Sequence, residues 1–505
     1  MHAGLDHLFR DEIRVQYSGF IIFAAQILSV GTGLIFTLLL TRNMTKQEFG
    51  VWSNIFDMVA YFTLSSGLFP FWTMRFVARR KEGAARTGLA ANLIVSLVSV
   101  ALYLPLISLI TSSFNISGAY VVMYFVASVQ IINLYLIGML ESCTRAVKPQ
   151  ALGYGLLLEE ASKVALAYVL VVEFHQLFLG AMISLIVAAS IQALYYSRLL
   201  RKELAQRIQW NYMKQWLKGS AASFYNAVGN QMTASVFVLL FVYGGQAARG
   251  DYQAAAIFAN LIGYSSSLAF ALYPKLLIKK GLEDVASIFK IVLMFAFPMA
   301  AITMSMSQSL LTILNASYSV ASPVLVLLAL DAVVLILSQF YSSVFLGVER
   351  LDEEAKISLK NLVRSKIFRL FTLPYLQAAI ALPMTYYALT QLAASQSVQA
   401  VIYVSIINVV AHIATFTVLY AIMRNAVKIA VPWKNMGKYV FASAVSATIL
   451  YLLPRPTTIL LTLSTVVAGI VTYAVLLLTI DKEARELALL MWHEIKVNLA
   501  PKTTS

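Results

Sequence analysis

The apolar residues of this chain come in runs, and the runs decide what it can fold into. About fourteen stretches each approach the twenty or so residues that an α-helix needs to cross a hydrocarbon core. In that core, backbone N–H and C=O groups find no water to bond, so a segment of this length must close its hydrogen bonds internally as a helix. The expected spans, each good to a few residues, are roughly 17–41, 47–69, 87–112, 119–141, 150–172, 176–197, 219–243, 252–274, 287–311, 322–346, 367–390, 398–422, 436–453 and 456–480. The chain reads as an all-α polytopic membrane protein with about 14 transmembrane helices. Only 12% of its residues are charged, about half of the roughly 25% of a soluble domain.

The charges orient the spans. With the N-terminus in the cytoplasm, nearly all of the 38 Lys and Arg residues fall in or beside connections on one side. The exceptions are Arg42, Lys46, Arg249 and Arg455 on the outer side and Lys163 within a span. This is the positive-inside pattern, and an even number of spans places both termini in the cytoplasm. The net charge of +15 then faces anionic lipid headgroups and requires no nucleic acid. Three glycosylation sequons, at Asn43, Asn115 and Asn315, all fall on the outer side. The single cysteine, Cys143, excludes an intramolecular disulfide and a Cys-cluster metal site. The first apolar run is a full span and not a cleavable signal sequence.

The longest basic connection, 198–218, separates an N-terminal lobe of six spans, 1–197, from eight that follow. Six of those form a C-terminal lobe, 219–422. Spans 13 and 14, within 423–480, have no polar stripe and carry one charge, Arg455, in their outer turn, which places them at the periphery. The tail, 481–505, puts Ala484, Leu487, Met491 and Ile495 on one face and reads as an interfacial amphipathic helix. Phe49-Gly50 and Ile55-Phe56 after the first outer loop find a weak echo in Asp251-Tyr252 and Ile257-Phe258, which suggests a duplication.

Four spans carry polar stripes at helical spacing: Gln26, Ser29, Gly33 and Thr37; Asn54, Asp57, Tyr61 and Ser65; Ser223, Asn226, Asn230 and Thr233; Asn260, Tyr264 and Ser267. Matched stripes in the two halves suggest one shared, water-filled cleft, although interhelical hydrogen bonding uses the same residue types. Asp57, Glu159, Glu160, Lys163 and Asp331 fall near the middle of their spans. A charge there costs about 2.5–3.5 kcal/mol on insertion scales, so function is the default reading. The alternative for Glu159 and Lys163, at i,i+4 in the favourable order, is an ion pair that fixes helix packing. His412, alone on an apolar helix, reads as a packed imidazole.

The sequence holds no phosphate loop, dinucleotide fingerprint, H-E-x-x-H or zinc spacing. Nothing in it calls for a cofactor or for ATP hydrolysis. A gradient or the membrane potential must drive any transport, and the intramembrane acids suggest coupling to Na+ or H+.

The segments 40–50 with Arg42 and Phe49-Gly50, Ser66-Gly67-Leu68 followed by Arg75, Gly250-Asp251-Tyr252-Gln253-Ala254-Ala255, Tyr273-Pro274, and 318–325 with Leu346-Gly347 closing that span together resemble the polysaccharide-biosynthesis flippases of the multidrug/oligosaccharidyl-lipid/polysaccharide exporter superfamily. The resemblance implies two six-helix lobes around a central cavity plus two C-terminal helices. It implies a transporter flipping a polyprenyl- or dolichyl-(pyro)phosphate-linked oligosaccharide from the cytoplasmic to the outer leaflet by alternating access. The protein would then be a transporter in the plasma membrane, with lipids, the lipid-linked oligosaccharide and glycan-assembly enzymes as candidate partners. Arg42 and Arg75 match usually basic family positions; with Lys163, Asn54, Asn226, Asn230 and Asn260 they form the candidate substrate-binding set. Asp57, Glu159, Glu160 and Asp331 form the candidate ion-coupling set, because acids inside are at least as prominent as bases. Two alternatives stand. A cation-coupled drug or metabolite antiporter of the same superfamily more often has twelve spans. A membrane glycosyltransferase or ligase needs larger and more charged outer loops than these.

Overall fold

The structure, a computed structural model, describes residues 25–26, 28–266, 282–348, 366–392, 396–424, 431–486 and 489, and all regular structure among them is helical. Residues 28–43 form α1. There follow α2 (Lys46–Phe62), α3 (Pro70–Ala78), α4 (Ala84–Ser113), α5 (Gly118–Val147), α6 (Ala151–Ala167) and α7 (Leu177–Leu199). Next come α8 (Tyr212–Leu239), α9 (Gln246–Gly263), α10 (Leu282–Ser305), α11 (Ser307–Leu314) and α12 (Ser322–Val348). The last four are α13 (Lys366–Tyr387), α14 (Ser397–Arg424), α15 (Trp433–Leu452) and α16 (Ile459–Ile480).

Among the described residues, eight helices are long and apolar enough to cross a membrane. They are α4, α5, α7, α8 with its extension to Gly244, α10, α12 with the turn before it, α14 and α16. This measure covers only the described residues, which leave out parts of the expected spans 17–41 and 252–274. The second expected span, 47–69, is interrupted: α2 ends at Phe62, a tight turn Leu64–Gly67 follows, and α3 begins just beyond it at Pro70. Ser65, Ser66 and Gly67 weaken the helix, and Pro70 suits the first position of a new one because its missing N–H has no partner there anyway. The sixth helix is 17 residues long before it loosens into a wider turn, Tyr168–Glu173. Tyr273-Pro274, Ser267, the connection 350–365 and the tail positions Leu487, Met491 and Ile495 lie outside the described residues.

The chain divides into two compact units, residues 1–250 with 355–400, and residues 251–354 with 401–505. In the first, α4 and α7 pack along α5, α6 packs on α7, and α8 pairs with α13. α2 opens with a reciprocal cap: the Thr45 hydroxyl accepts from the Glu48 N–H, and the Glu48 carboxylate accepts from the Thr45 N–H at 2.8 Å. This satisfies two of the donors that a helix start leaves open. The basic end of this unit closes on an aromatic cluster of Phe69, Trp72, Phe76, Tyr196 and Trp216, with the Phe76 and Trp216 rings edge to face, 5.5 Å apart.

In the second unit, α10 packs on α12 and α15, and α15 on α16. Gly469 lets α16 approach Leu450, and Ser446 Oγ donates to the Gly469 carbonyl at 2.8 Å. Tyr473 Oη donates to the Met294 carbonyl at 2.7 Å. At the other end of these helices Asp481, almost wholly buried, accepts from Lys438 and Asn435, while Glu483 pairs with Lys290 at 2.7 Å. The outer face of α16 is a sheet of exposed Leu and Val, with Leu460 at 81% exposure, which suits a lipid-facing surface.

Candidate functional site

α2 and the start of α9 meet backbone to backbone at two glycines. A Cβ on Gly50 would overlap the Gln246 carbonyl, and one on Gly250 would overlap the Lys46 carbonyl. The contact is reciprocal: each glycine faces the carbonyl four residues before the other. Small residues at such a crossing are what allow helices to touch this closely.

The crossing sets up an ion pair two turns along. Arg249 Nε donates to Asp57 Oδ2 at 2.8 Å and Nη2 donates to Oδ1 at 2.9 Å. The guanidinium side chain is 4% exposed and the carboxylate side chain 14%. The Phe237 ring lies 5.0 Å from the guanidinium carbon. Two parallel charge-assisted bonds make this the strongest geometry available to a carboxylate and a side-chain cation. On the same face of α2, Tyr61 Oη and Ser235 Oγ share a hydrogen bond of 2.7 Å. Asn54 is wholly buried; its Oδ1 accepts from Tyr124 Oη at 2.7 Å, and its Nδ2 has no partner among the described residues.

A second buried pair joins α1 and α6. Lys163 Nζ donates to Glu160 Oε1 at 2.6 Å, and Thr32 Oγ1 donates to Glu160 Oε2 at 2.6 Å. The ammonium also lies 5.8 Å from the Phe36 ring centroid. The sequence spacing favoured Glu159 as the partner; Lys163 bonds Glu160 instead, which is buried beside α1 while Glu159 is half-exposed. Glu141 on α5 accepts weakly from Gln192 on α7, at 3.4 Å.

In the second unit, besides the Asp481 contacts at the helix ends, a buried acid meets a histidine. His412 Nδ1 on α14 and Asp331 Oδ1 on α12 are 2.6 Å apart, with side chains 15% and 7% exposed. His412 is thus packed, as expected, and also bonded to the one acid that the sequence singled out in that region. Asn260, in the same unit, is exposed.

The remaining candidates are dispersed. Arg42 is exposed in the last turn of α1. The Arg75 guanidinium carbon lies over the Phe71 ring, 4.2 Å from its centroid, and 5.6 Å from that of Trp72. Asn226 is half-buried and Asn230 exposed on α8, beside Tyr225, which stacks between Phe368 and Tyr375 at 4.9 and 4.5 Å. Reading the sequence placed Arg249 in an outer connection and gave it no role. The signal available was the matched pair of glycines, since only a crossing at Gly50 and Gly250 brings Arg249 to Asp57. Among the described residues, no group of three or more His, Cys, Asp or Glu side chains could hold a metal ion.

No family model matches the sequence, and no curated protein sequence matches it. Solved structures do. A lipid II flippase MurJ, in an inward closed conformation, superposes with a TM-score of 0.64 at 12% identity, over 93% of this chain and 100% of that one. An inward-facing multidrug resistance MATE transporter of the MOP superfamily gives 0.58 at 15% identity, over 79% of this chain and 96% of the other. A MOP superfamily transporter from Pyrococcus furiosus gives 0.52 at 14% identity, over 82% and 95%. At these identities the likeness is one of fold: the chain is a polytopic membrane protein with the fold of MOP superfamily transporters.

Proposed function

We propose that this chain is a flippase that carries a polyprenyl- or dolichyl-(pyro)phosphate-linked oligosaccharide from the cytoplasmic to the outer leaflet by alternating access, without hydrolysing ATP. The observation that carries the reading is coverage. The MurJ fold accounts for 93% of this chain, against 79% for the multidrug MATE fold and 82% for the Pyrococcus furiosus transporter, so a flippase accommodates more of its helices than these transporters do. About fourteen spans, lobes at 1–197 and 219–422, and cytoplasmic termini in a plasma membrane belong to the same proposal. Within it, exposed Arg42, Asn230 and Asn260, with half-buried Asn226 and Arg75, face substrate, and Lys163 supplies a buried cation to the phosphate. Asn54 orders the second helix through Tyr124. Asp57, Glu159, Glu160 and Asp331 are the carboxylates that exchange partners with a coupling ion. A phosphate crossing hydrocarbon needs compensating charge, because an isolated ion in low dielectric is very costly. Glycan-assembly enzymes would supply the substrate.

The multidrug resemblance favours one rival, an antiporter for drugs or metabolites. Deleting the gene and profiling the membrane separates the two. Accumulation of one lipid-linked oligosaccharide on the inner leaflet supports the flippase. Raised sensitivity to several cationic drugs, with no lipid-linked sugar accumulating, assigns the antiporter.

A further inference from the structure

A cavity of about 520 Å³ opens at the basic end of the first unit, apart from every pair described above, lined by Arg80, Lys81, Glu203 and Gln206 over a floor that includes Ala85 and Ala146. It lies between the end of α3, the start of α4, the end of α5 and the connection after α7.

Its walls are fixed. Arg80 N–H donates to the Val77 carbonyl and Lys81 N–H to the Phe76 carbonyl, both at 2.9 Å, and Arg80 is held at φ 54°. A left-handed backbone is disfavoured at a residue with a Cβ, so this turn is imposed by its surroundings. The connection after α7 is tied to the same turn. Gly83, at φ 71°, donates its N–H to Gln206 Oε1 at 2.6 Å and sits where a Cβ would overlap the Arg207 carbonyl. Arg86 Nη1 donates to the Gln206 carbonyl at 2.9 Å, Gln209 N–H to Thr87 Oγ1 at 2.8 Å, and Tyr212 Oη to the Glu82 carbonyl at 3.1 Å.

The charge in the cavity is unbalanced. Arg80 and Lys81 face one carboxylate, Glu203, and among the described residues neither cation forms an ion pair. Two cations above an apolar floor, at the end of membrane-spanning helices, suit an anion carried on an apolar stem. We propose that this cavity binds the phosphate of an anionic phospholipid headgroup. Basic pockets between transmembrane helices recognise headgroups in this way. The inference stands apart from whatever the protein transports.

The test uses the purified full chain in neutral detergent, titrated with phosphatidylglycerol, with the thermal unfolding midpoint as readout. Arg80→Gln with Lys81→Gln should raise the lipid concentration for half-maximal stabilisation on the order of thirty-fold, at about a tenfold loss per 1.4 kcal/mol and roughly 1 kcal/mol for each basic residue. Ala146→Leu, which fills the floor and keeps the charges, should also weaken the effect. Lys202→Gln, on the same connection but outside the lining, should leave it unchanged. An equal loss in Lys202→Gln, or an unaltered titration in both cavity variants, overturns the proposal in favour of diffuse surface charge. Stabilisation by inorganic phosphate alone at matching concentrations overturns it in favour of a soluble anion.

Discussion

The two units bury carboxylates to a similar depth but against different cations. In the first, Asp57 meets an arginine and Glu160 meets a lysine; in the second, Asp331 meets a histidine. All six side chains are at most 15% exposed, so burial does not distinguish them. What differs is how many bonds hold the carboxylate: the guanidinium holds Asp57 through two parallel bonds, while the imidazole holds Asp331 through one. The bidentate pair therefore constrains helix position in a way that the imidazole pair does not.

The most damaging break should be Asp57→Asn. It strands the Arg249 guanidinium, and removing one partner of a buried pair costs about 3–5 kcal/mol. Thermal unfolding in detergent should show a large loss for Asp57→Asn, and partial recovery when Arg249→Leu is added, because the double variant leaves no charge to compensate. A wild-type midpoint for the single variant would mean that water reaches the guanidinium, and the contrast between the units would fail. Gly50→Ala probes the same constraint from the backbone. Its methyl would strike a main-chain carbonyl that has no rotamer to escape into, and overpacking of this kind costs about 1–3 kcal/mol.

Glu160→Gln should come next, at about 2–3 kcal/mol, below the cost of a stranded arginine because Lys163 loses one bond where Arg249 loses two. Lys163→Met in addition should restore most of the loss, and Thr32→Val alone should cost about 1 kcal/mol, the worth of one hydrogen bond. The double-mutant cycle checks this: a coupling energy near zero between positions 160 and 163 would show the pair to be incidental.

Much of this was legible before any coordinates. Runs of apolar residues gave the helices, and the cost of a midspan charge drew attention to Asp57, Glu160, Lys163 and Asp331. Partners were not legible, because pairing is a property of helix crossings. Spacing along α6 suggested Glu159 for Lys163, but Thr32 on α1 presents its hydroxyl to Glu160 and draws the ammonium with it. Arg249 looked like an outer-loop cation until Gly250 met the Lys46 carbonyl. The break of the second span at Ser65-Ser66-Gly67 and Pro70 was written in the sequence, yet mean apolar character over the whole stretch concealed it.

The smallest effect should fall in the second unit, where it is also the most telling. Asp331→Asn removes a carboxylate that meets His412 through one contact and not through two parallel bonds. The amide can still accept from or donate to Nδ1 across the same 2.6 Å gap, or one slightly longer. The cost should be about 1 kcal/mol, that of exchanging a charged hydrogen bond for a neutral one. His412→Gln should cost about the same, and the two together no more than their sum. The decisive measurement is the comparison with Asp57→Asn under identical detergent and salt. If Asp331→Asn proves as destabilising as Asp57→Asn, the single imidazole contact holds its helices as firmly as the bidentate pair does, and the contrast between the units fails. If it is mild, the contact can be broken without unfolding the helices around it, which is the property that an ion-coupled step requires.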